Sequence, residues 1–360
     1  MLFGEIATPA LLVDHRVMEA NLRQLQDACD ARGVELWPHV KTHKMVRALE
    51  LQLALGAKGA TCSKIGEAEA LLPSGVRRIF IANSLVDPAA APRLRVLADS
   101  LDELIVAVTS IAHFEALAHV LRTAHLRLPV LLAVDTGLHR EGVRSVADGC
   151  VVAGLIEKSP HMDLIGLYTH EGHAYGVNPP AALKEFVASV YSSLCAVRQA
   201  LGDSLPLWPG CSVTAPLMLS EAGVKAVRPG TYIFGDLSLT DSTEVMPFNA
   251  AALTIYTTVV DRPTDGLALI DAGSKVFSGD KTKRAVSGRC VEIPTLEVSR
   301  VNEEHGYVTG EGVDQLKVGQ RLRFVPAHVC TVVNLADCVR MIDGEKIIET
   351  WRVDARGRSD

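Results

Sequence analysis

The chain has 360 residues, 48% of them hydrophobic, with 42 acidic against 36 basic residues and a formal charge of -6. That length buries a sizeable core and leaves room for a large domain and a smaller one, while the acidic balance gives no sign of a polyanion-binding surface and makes nucleic acid an unexpected partner. No stretch approaches the roughly 20 apolar residues of a membrane helix, and the start has no basic region followed by an apolar run. A cytoplasmic protein with no membrane partner is therefore expected, and the eight scattered cysteines form no spaced disulfide framework.

From Pro9 to about Phe234, short apolar runs alternate with helix-period stretches, the mark of repeated βα units around a parallel sheet. Ala10–Val13, Glu35–His39, Gly59–Cys62, Arg78–Ala82, Glu103–Val108, Val130–Val134, Leu164–Tyr168 and Leu205–Trp208 read as buried strands, and Ala226–Phe234 supplies one more. Amphipathic helices are expected over Arg16–Ala31, Lys44–Leu55, Ile111–Thr123 and Ala181–Leu201. This strict alternation fits a TIM (β/α)8 barrel better than an open doubly wound sheet. Beyond Phe248 the texture changes to short strands punctuated by turn residues, from Ala252–Val260 to Cys338–Ile342, and a mainly-β domain is expected there. The domain division is set at 8–243 for the barrel and 244–360, with residues 1–7, for the β-rich part.

In such a barrel the reactive groups lie on loops after the strands' C-terminal ends. Trp37-Pro38-His39-Val40-Lys41-Thr42-His43-Lys44 puts a lysine between histidines at such a point, a place for Schiff-base chemistry as well as for an ordinary basic loop. Asp135-Thr136-Gly137-Leu138-His139-Arg140 and His170-Glu171-Gly172-His173 follow later strands; the second lacks the His-Glu-x-x-His spacing of a zinc protease. Gly210-Cys211-Ser212-Val213-Thr214 is a small-residue loop opening a helix, which suits either a phosphate or a plain turn. Near the end, His328-Val329-Cys330 is a His-x-Cys pair whose side chains a strand would aim to one face. The pair suits a divalent metal with open positions, or is a buried cysteine beside a hydrogen-bonded histidine.

Taken in order, these landmarks resemble the fold-type III pyridoxal phosphate enzymes, and within them the D-serine dehydratase and D-threonine aldolase group. They are joined by Thr8-Pro9-Ala10-Leu11-Leu12-Val13-Asp14, Gly166-Leu167-Tyr168, Arg228-Pro229-Gly230-Thr231-Tyr232 and Asp271-Ala272-Gly273-Ser274-Lys275, so the likeness spans nearly the whole chain. The resemblance implies a pyridoxal 5'-phosphate-binding barrel like that of alanine racemase, followed by the mainly-β domain. It implies that Lys41 holds the cofactor covalently, that Arg140 approaches its phenolic oxygen and Tyr168 its pyridine nitrogen, and that Gly210, Cys211, Ser212, Gly230 and Thr231 hold the phosphate. His328 and Cys330 become the ligands of a divalent metal, zinc or else manganese or magnesium, and His43 and His173 the candidates for a second base. The loop at Gly210 departs from the Gly-Ser/Thr-Thr-Pro type of the relatives.

The activity so implied is that of a lyase on a small-molecule D-β-hydroxy-α-amino acid. The thiol at Cys330 tilts it toward dehydration of D-serine or D-threo-3-hydroxyaspartate to keto acid and ammonia. Retro-aldol cleavage to glycine and an aldehyde is the alternative, as in D-threonine aldolase or 3-hydroxy-D-aspartate aldolase. An amino-acid racemase is a further one, and a cofactor carrier built from the barrel alone is disfavoured by the second domain. A homodimer is expected from the same resemblance.

Overall fold

The computed structural model describes residues 1–177 and 180–360. The chain divides into two compact units, one made of Gln24–Lys41, Val46–Gly230 and Arg358–Asp360, the other of Met1–Arg23, Thr42–Met45 and Thr231–Gly357.

The first apolar run, β1 (Ala10–Asp14), belongs to the second, β-rich unit. It pairs antiparallel with a later strand and parallel to another, so it is covered on both sides and carries the unbroken apolar sequence of a barrel strand. Of the nine runs read from the sequence, the remaining eight build the barrel. These are β2 (Glu35–Leu36), β3 (Ala60–Cys62), β4 (Arg78–Ile81), β5 (Glu103–Val108), β6 (Leu128–Ala133), β7 (Met162–Tyr168), β8 (Leu207–Trp208) and β9 (Ala226–Val227).

Strands β3 to β8 form a six-stranded parallel sheet, and β2 pairs in parallel with β9. Single parallel bridges between His39 and Thr61 and between Leu207 and Val224 join the two pieces into a ring. Its interior is filled by large side chains: Trp37, Phe80, Ile105, Leu131, Tyr168 and Trp208 form one buried cluster. Trp37 meets Trp208 edge-on at 4.9 Å and Phe80 meets Tyr168 at 5.1 Å, the arrangement favoured by aromatic quadrupoles.

Helices alternate with these strands, and Ile111–Thr123 has the bounds its periodicity predicts, opened by the hydroxyl of Ser110, which accepts the His113 N–H. Between the barrel strands, three of the described helices had no sequence forecast: Ile65–Leu71, Ala90–Ser100 and Val146–Glu157. Pro88 and Pro92 make the start of the second read as a turn, although proline is tolerated in a helix's first turn. The third is apolar on several faces, with Val146 and Val151 exposed and Val152 and Ile156 buried, so it shows no one-sided stripe.

In the β-rich unit the strands are β10 (Leu253–Thr264), β11 (Leu267–Ile270), β12 (Gly288–Cys290), β13 (Glu297–Val301), β14 (Gly306–Thr309), β15 (Arg321–Pro326), β16 (Cys338–Asp343) and β17 (Lys346–Arg352). The order β11-β14-β13-β12-β15-β10 closes on itself because β10 also pairs with β11, while β1, β16 and β17 extend the sheet from β10. Register shifts at Val259, Asp261 and Thr264 let the long β10 bend and serve both partners. Among the described residues no helix is long and apolar enough to cross a membrane.

Candidate active site

Lys41 leaves the end of β2 in a single 3₁₀ turn, Val40–Thr42. In the barrel unit it lines a cavity of about 330 Å³ with His39, Asn83, Arg140, Glu141, Tyr168, His170 and Arg228, all carried by loops and strand ends. Three cationic side chains face one carboxylate there, a balance that suits an anionic ligand.

The cavity's electrostatics follow from burial. His39 is held well below the ordinary imidazole range, first by burial and then by the charges of Lys41, Arg228, His170 and Arg140. His170 is depressed in the same way by burial, Lys41, Arg140 and Arg228. Both rings are therefore neutral at neutral pH, available as hydrogen-bond donors and acceptors.

Tyr168, at the end of β7, is buried with its hydroxyl unpartnered, and burial raises its phenol. An orphaned buried hydroxyl and an unpartnered His39 Nδ1 beside a cation-rich cavity fit a bound polar group. Arg228 is 2% exposed, donates to the carbonyls of Trp208 (3.2 Å) and Thr169, and lies over the Tyr168 ring at 5.1 Å. Burial lowers its guanidinium while Glu171 and Tyr168 oppose that effect.

The loop Gly210–Thr214 is fixed by Glu171. This carboxylate is fully buried; both its oxygens accept the Gly210 N–H, at 3.1 and 3.0 Å, and Oε2 also accepts the Thr214 hydroxyl at 3.1 Å. Burial raises the Glu171 carboxyl, and Arg228 and these donors pull it back. Ser212 Oγ accepts the Gly230 N–H at 3.2 Å, which ties the two candidate phosphate loops to each other. The Cys211 thiol is pushed up to about 11 by burial and then by Glu171, so it is a small buried hydrophobe and not a nucleophile. With the fixed loop, the cationic cavity and Lys41, these residues fit pyridoxal phosphate.

The sequence-predicted residues thus fall into groups. Lys41, Arg140 and Tyr168 share the cavity, and Gly210, Cys211, Ser212 and Gly230 share the loops. Thr231 is buried at the start of a 3₁₀ turn in the β-rich unit. His173 packs edge-on against Phe186 at 4.7 Å, and it is His170 that lines the cavity. His43 is fully buried in the β-rich unit, where its Nδ1 accepts the Met45 N–H at 3.0 Å.

His328 and Cys330 lie in the β-rich unit at the junction between β15 and the helix Val329–Leu335, with His328 as the helix N-cap residue. The expected strand placement is corrected: β15 ends at Pro326, and the chain turns because Asp236 Oδ2 takes the Val329 N–H at 3.1 Å, an acceptor that opens a helix. The same oxygen meets His328 Nδ1 at 2.8 Å. Cys330 Sγ and Thr42 Oγ1 share a hydrogen bond of 3.2 Å. Burial disfavours charge on His328, but Cys330 and Asp236 outweigh it and push the imidazole up to about 11. An imidazole beside a thiol, with a buried carboxylate behind the ring, is a donor set that fits a divalent cation held by nitrogen and sulfur. Among the described residues no cluster of three or more His, Cys, Asp or Glu side chains closes a full shell, so water or substrate would complete one.

Sequence reasoning gave no role to His39, His170, Glu171, Arg228 or Asp236. The motifs Thr169-His170-Glu171 and Arg228-Pro229-Gly230 marked the right loops. Nothing local marked Asp236, which lies 92 residues from its partner His328.

The family description for the alanine racemase N-terminal domain matches residues 13–238, and that for a putative serine dehydratase domain matches 252–342. The chain is 29% identical over 366 residues to a D-threonine aldolase of Arthrobacter sp., covering 99% of this chain and 94% of that protein. It is 30% identical over 371 residues to the D-threo-3-hydroxyaspartate dehydratase of Delftia sp. (strain HT23), covering 96% of each. A metal-free, cysteine-to-alanine form of D-threo-3-hydroxyaspartate dehydratase superposes with a TM-score of 0.88 at 28% identity over 98% of both chains. The crystal structure of D-threonine aldolase from Filomicrobium marinum gives 0.92 at 26% identity over 100% of this chain and 99% of that one. With well over half its length inside the first family match, the chain belongs to the alanine racemase N-terminal-domain family, among the pyridoxal-phosphate-dependent lyases of the D-serine dehydratase and D-threonine aldolase group.

Proposed function

We propose that the protein is a dehydratase of D-β-hydroxy-α-amino acids, acting on D-serine or D-threo-3-hydroxyaspartate to give keto acid and ammonia. The observation that carries this reading is the ligand chemistry at His328 and Cys330. The thiol shares a hydrogen bond with Thr42, the residue that follows Lys41. The related dehydratase whose metal-free form carries a cysteine-to-alanine change supports a cysteine in metal binding.

When bound, pyridoxal phosphate supplies the electron sink that acidifies the Cα–H bond, and a divalent ion supplies a Lewis acid for the β-hydroxyl. Lys41 Nζ would hold the cofactor and afterwards carry the Cα proton. Arg140 and Arg228 offset the negative charge brought into the cavity. The neutral imidazoles of His39 and His170 orient polar groups without adding charge. His328 Nε2 and Cys330 Sγ would hold the ion. The balance is loss of water from Cα and Cβ, followed by hydrolysis of the released enamine to keto acid and ammonia.

The retro-aldol reading draws on the D-threonine aldolases of similar identity and fold. It needs a base for the hydroxyl proton, with His43 and His173 the candidates. The deciding experiment is a product assay with pyridoxal phosphate and zinc or manganese, offering D-serine, D-threonine and D-3-hydroxyaspartate separately. Keto acid with ammonia is expected. Glycine with an aldehyde makes the protein an aldolase, and inverted amino acid alone makes it a racemase. A homodimer is part of the proposal; a monomeric mass in light scattering removes it.

A further inference from the structure

Asp236 touches both the ring of His328 and the backbone that follows it. Its carboxylate is fully buried in the β-rich unit. Oδ2 lies 2.8 Å from His328 Nδ1 and accepts the Val329 N–H at 3.1 Å, while Oδ1 accepts the Leu239 N–H at 3.2 Å. All three bonds run toward the carboxylate, so Nδ1 is the ring nitrogen that carries the hydrogen. The other nitrogen, Nε2, is the one left to supply a lone pair to an ion once its own proton is displaced. The His328 side chain is 32% exposed although its partner is completely enclosed, so the ring can be reached by a solute while its orientation is fixed from behind.

We propose that Asp236 is a positioning residue for the metal: it holds His328 in the tautomer and ring orientation that present Nε2 to the ion. The inference rests on the metal reading of His328 and Cys330 and deepens it. A histidine ligand's second nitrogen is commonly fixed by a carboxylate, and loss of such a partner costs metal affinity without removing a ligand. The arrangement also explains why the His-x-Cys pair works from a turn. The acceptor that fixes the ring is the one that opens the helix, so Cys330, one residue into that helix, is placed by the same carboxylate.

The test uses the holoenzyme with zinc as the probe. Zinc affinity is measured by competition with a chromophoric chelator for wild type, Asp236→Asn and His328→Ala, and the visible cofactor absorbance is followed in each. The expected result is zinc binding weakened about 10- to 100-fold in Asp236→Asn with cofactor content unchanged. Because a buried variant can fail to fold, the histidine ring nitrogens of zinc-loaded wild type are also read by ¹⁵N NMR, with the remaining hydrogen of His328 expected on Nδ1. Wild-type zinc affinity in a folded Asp236→Asn, or the hydrogen found on Nε2, overturns the proposal while leaving the ligands in place. Zinc binding absent in wild type, or undiminished in His328→Ala, overturns the metal reading and this inference with it.

Discussion

Glu171 and Gly210 are joined through both oxygens of one carboxylate: the Gly210 N–H lies 3.1 Å from Oε1 and 3.0 Å from Oε2, with Thr214 donating to Oε2 as well. A glutamine at 171 turns one of these oxygens into an NH2 donor, and since the Gly210 N–H meets both oxygens, that donor faces another donor in a buried place. Glu171→Gln should destabilise the barrel unit by about 1–3 kcal/mol, the cost of a buried group left unsatisfied. It should also weaken pyridoxal phosphate binding, because the loop it fixes holds the candidate phosphate contacts. Urea unfolding and a cofactor titration check this; unchanged cofactor affinity would remove Glu171 from the phosphate loop's support.

Gly210 has φ +141°, and a Cβ there would stand 2.5 Å from the backbone nitrogen of Arg228. Neither the conformation nor the space admits a side chain. Gly210→Ala should cost on the order of 1–3 kcal/mol in stability. The shift falls on Arg228, so occupancy by the cofactor should drop with it. A variant melting at the wild-type temperature with full cofactor content contradicts this account.

The depressed imidazole of His39 sets a pH dependence. The unfolded chain takes up a proton at this residue below about pH 6.5, whereas the folded one does not until far lower. Stability from this group is therefore present above that point and lost on acidification, at roughly 1.4 kcal/mol per pH unit. In His39→Gln this contribution vanishes, so the difference in stability between pH 7.5 and pH 5 should be smaller than in wild type. Equal pH dependence in urea unfolding would mean that His39 is not held neutral.

Lys41→Ala should lose the visible absorbance of lysine-bound pyridoxal phosphate together with all turnover. Retained absorbance would move the attachment to Lys44 or Lys64. Lys44 already donates to Asn334 Oδ1 at 2.9 Å.

Removing the metal should separate from removing the cofactor. Chelation, His328→Ala or Cys330→Ala should abolish turnover of D-serine and D-3-hydroxyaspartate while leaving the cofactor absorbance. Full activity in the metal-free protein ends the metal role of the pair, and equal turnover of L-substrates ends the stereochemical assignment.

The sequence by itself determined what consecutive residues encode. Glu103–Val108 and Ile111–Thr123 have the bounds their patterns predict, because period and capping are written locally. The lysine after an early strand and the change to short strands beyond Phe248 were legible for the same reason, as was the family likeness, which lies in ordered motifs. Tertiary structure decided the rest. β1 reads like a barrel strand and lies in the β-rich sheet, since an apolar run states that it is buried but not by which partners. Glu171 meets Gly210 across 39 residues and Asp236 meets His328 across 92. Arg228 becomes a buried cation only once the ring of strands has closed around it. Burial, hydrogen-bond partner and charge state at these positions come from surfaces brought together by long-range closure, which no local pattern records.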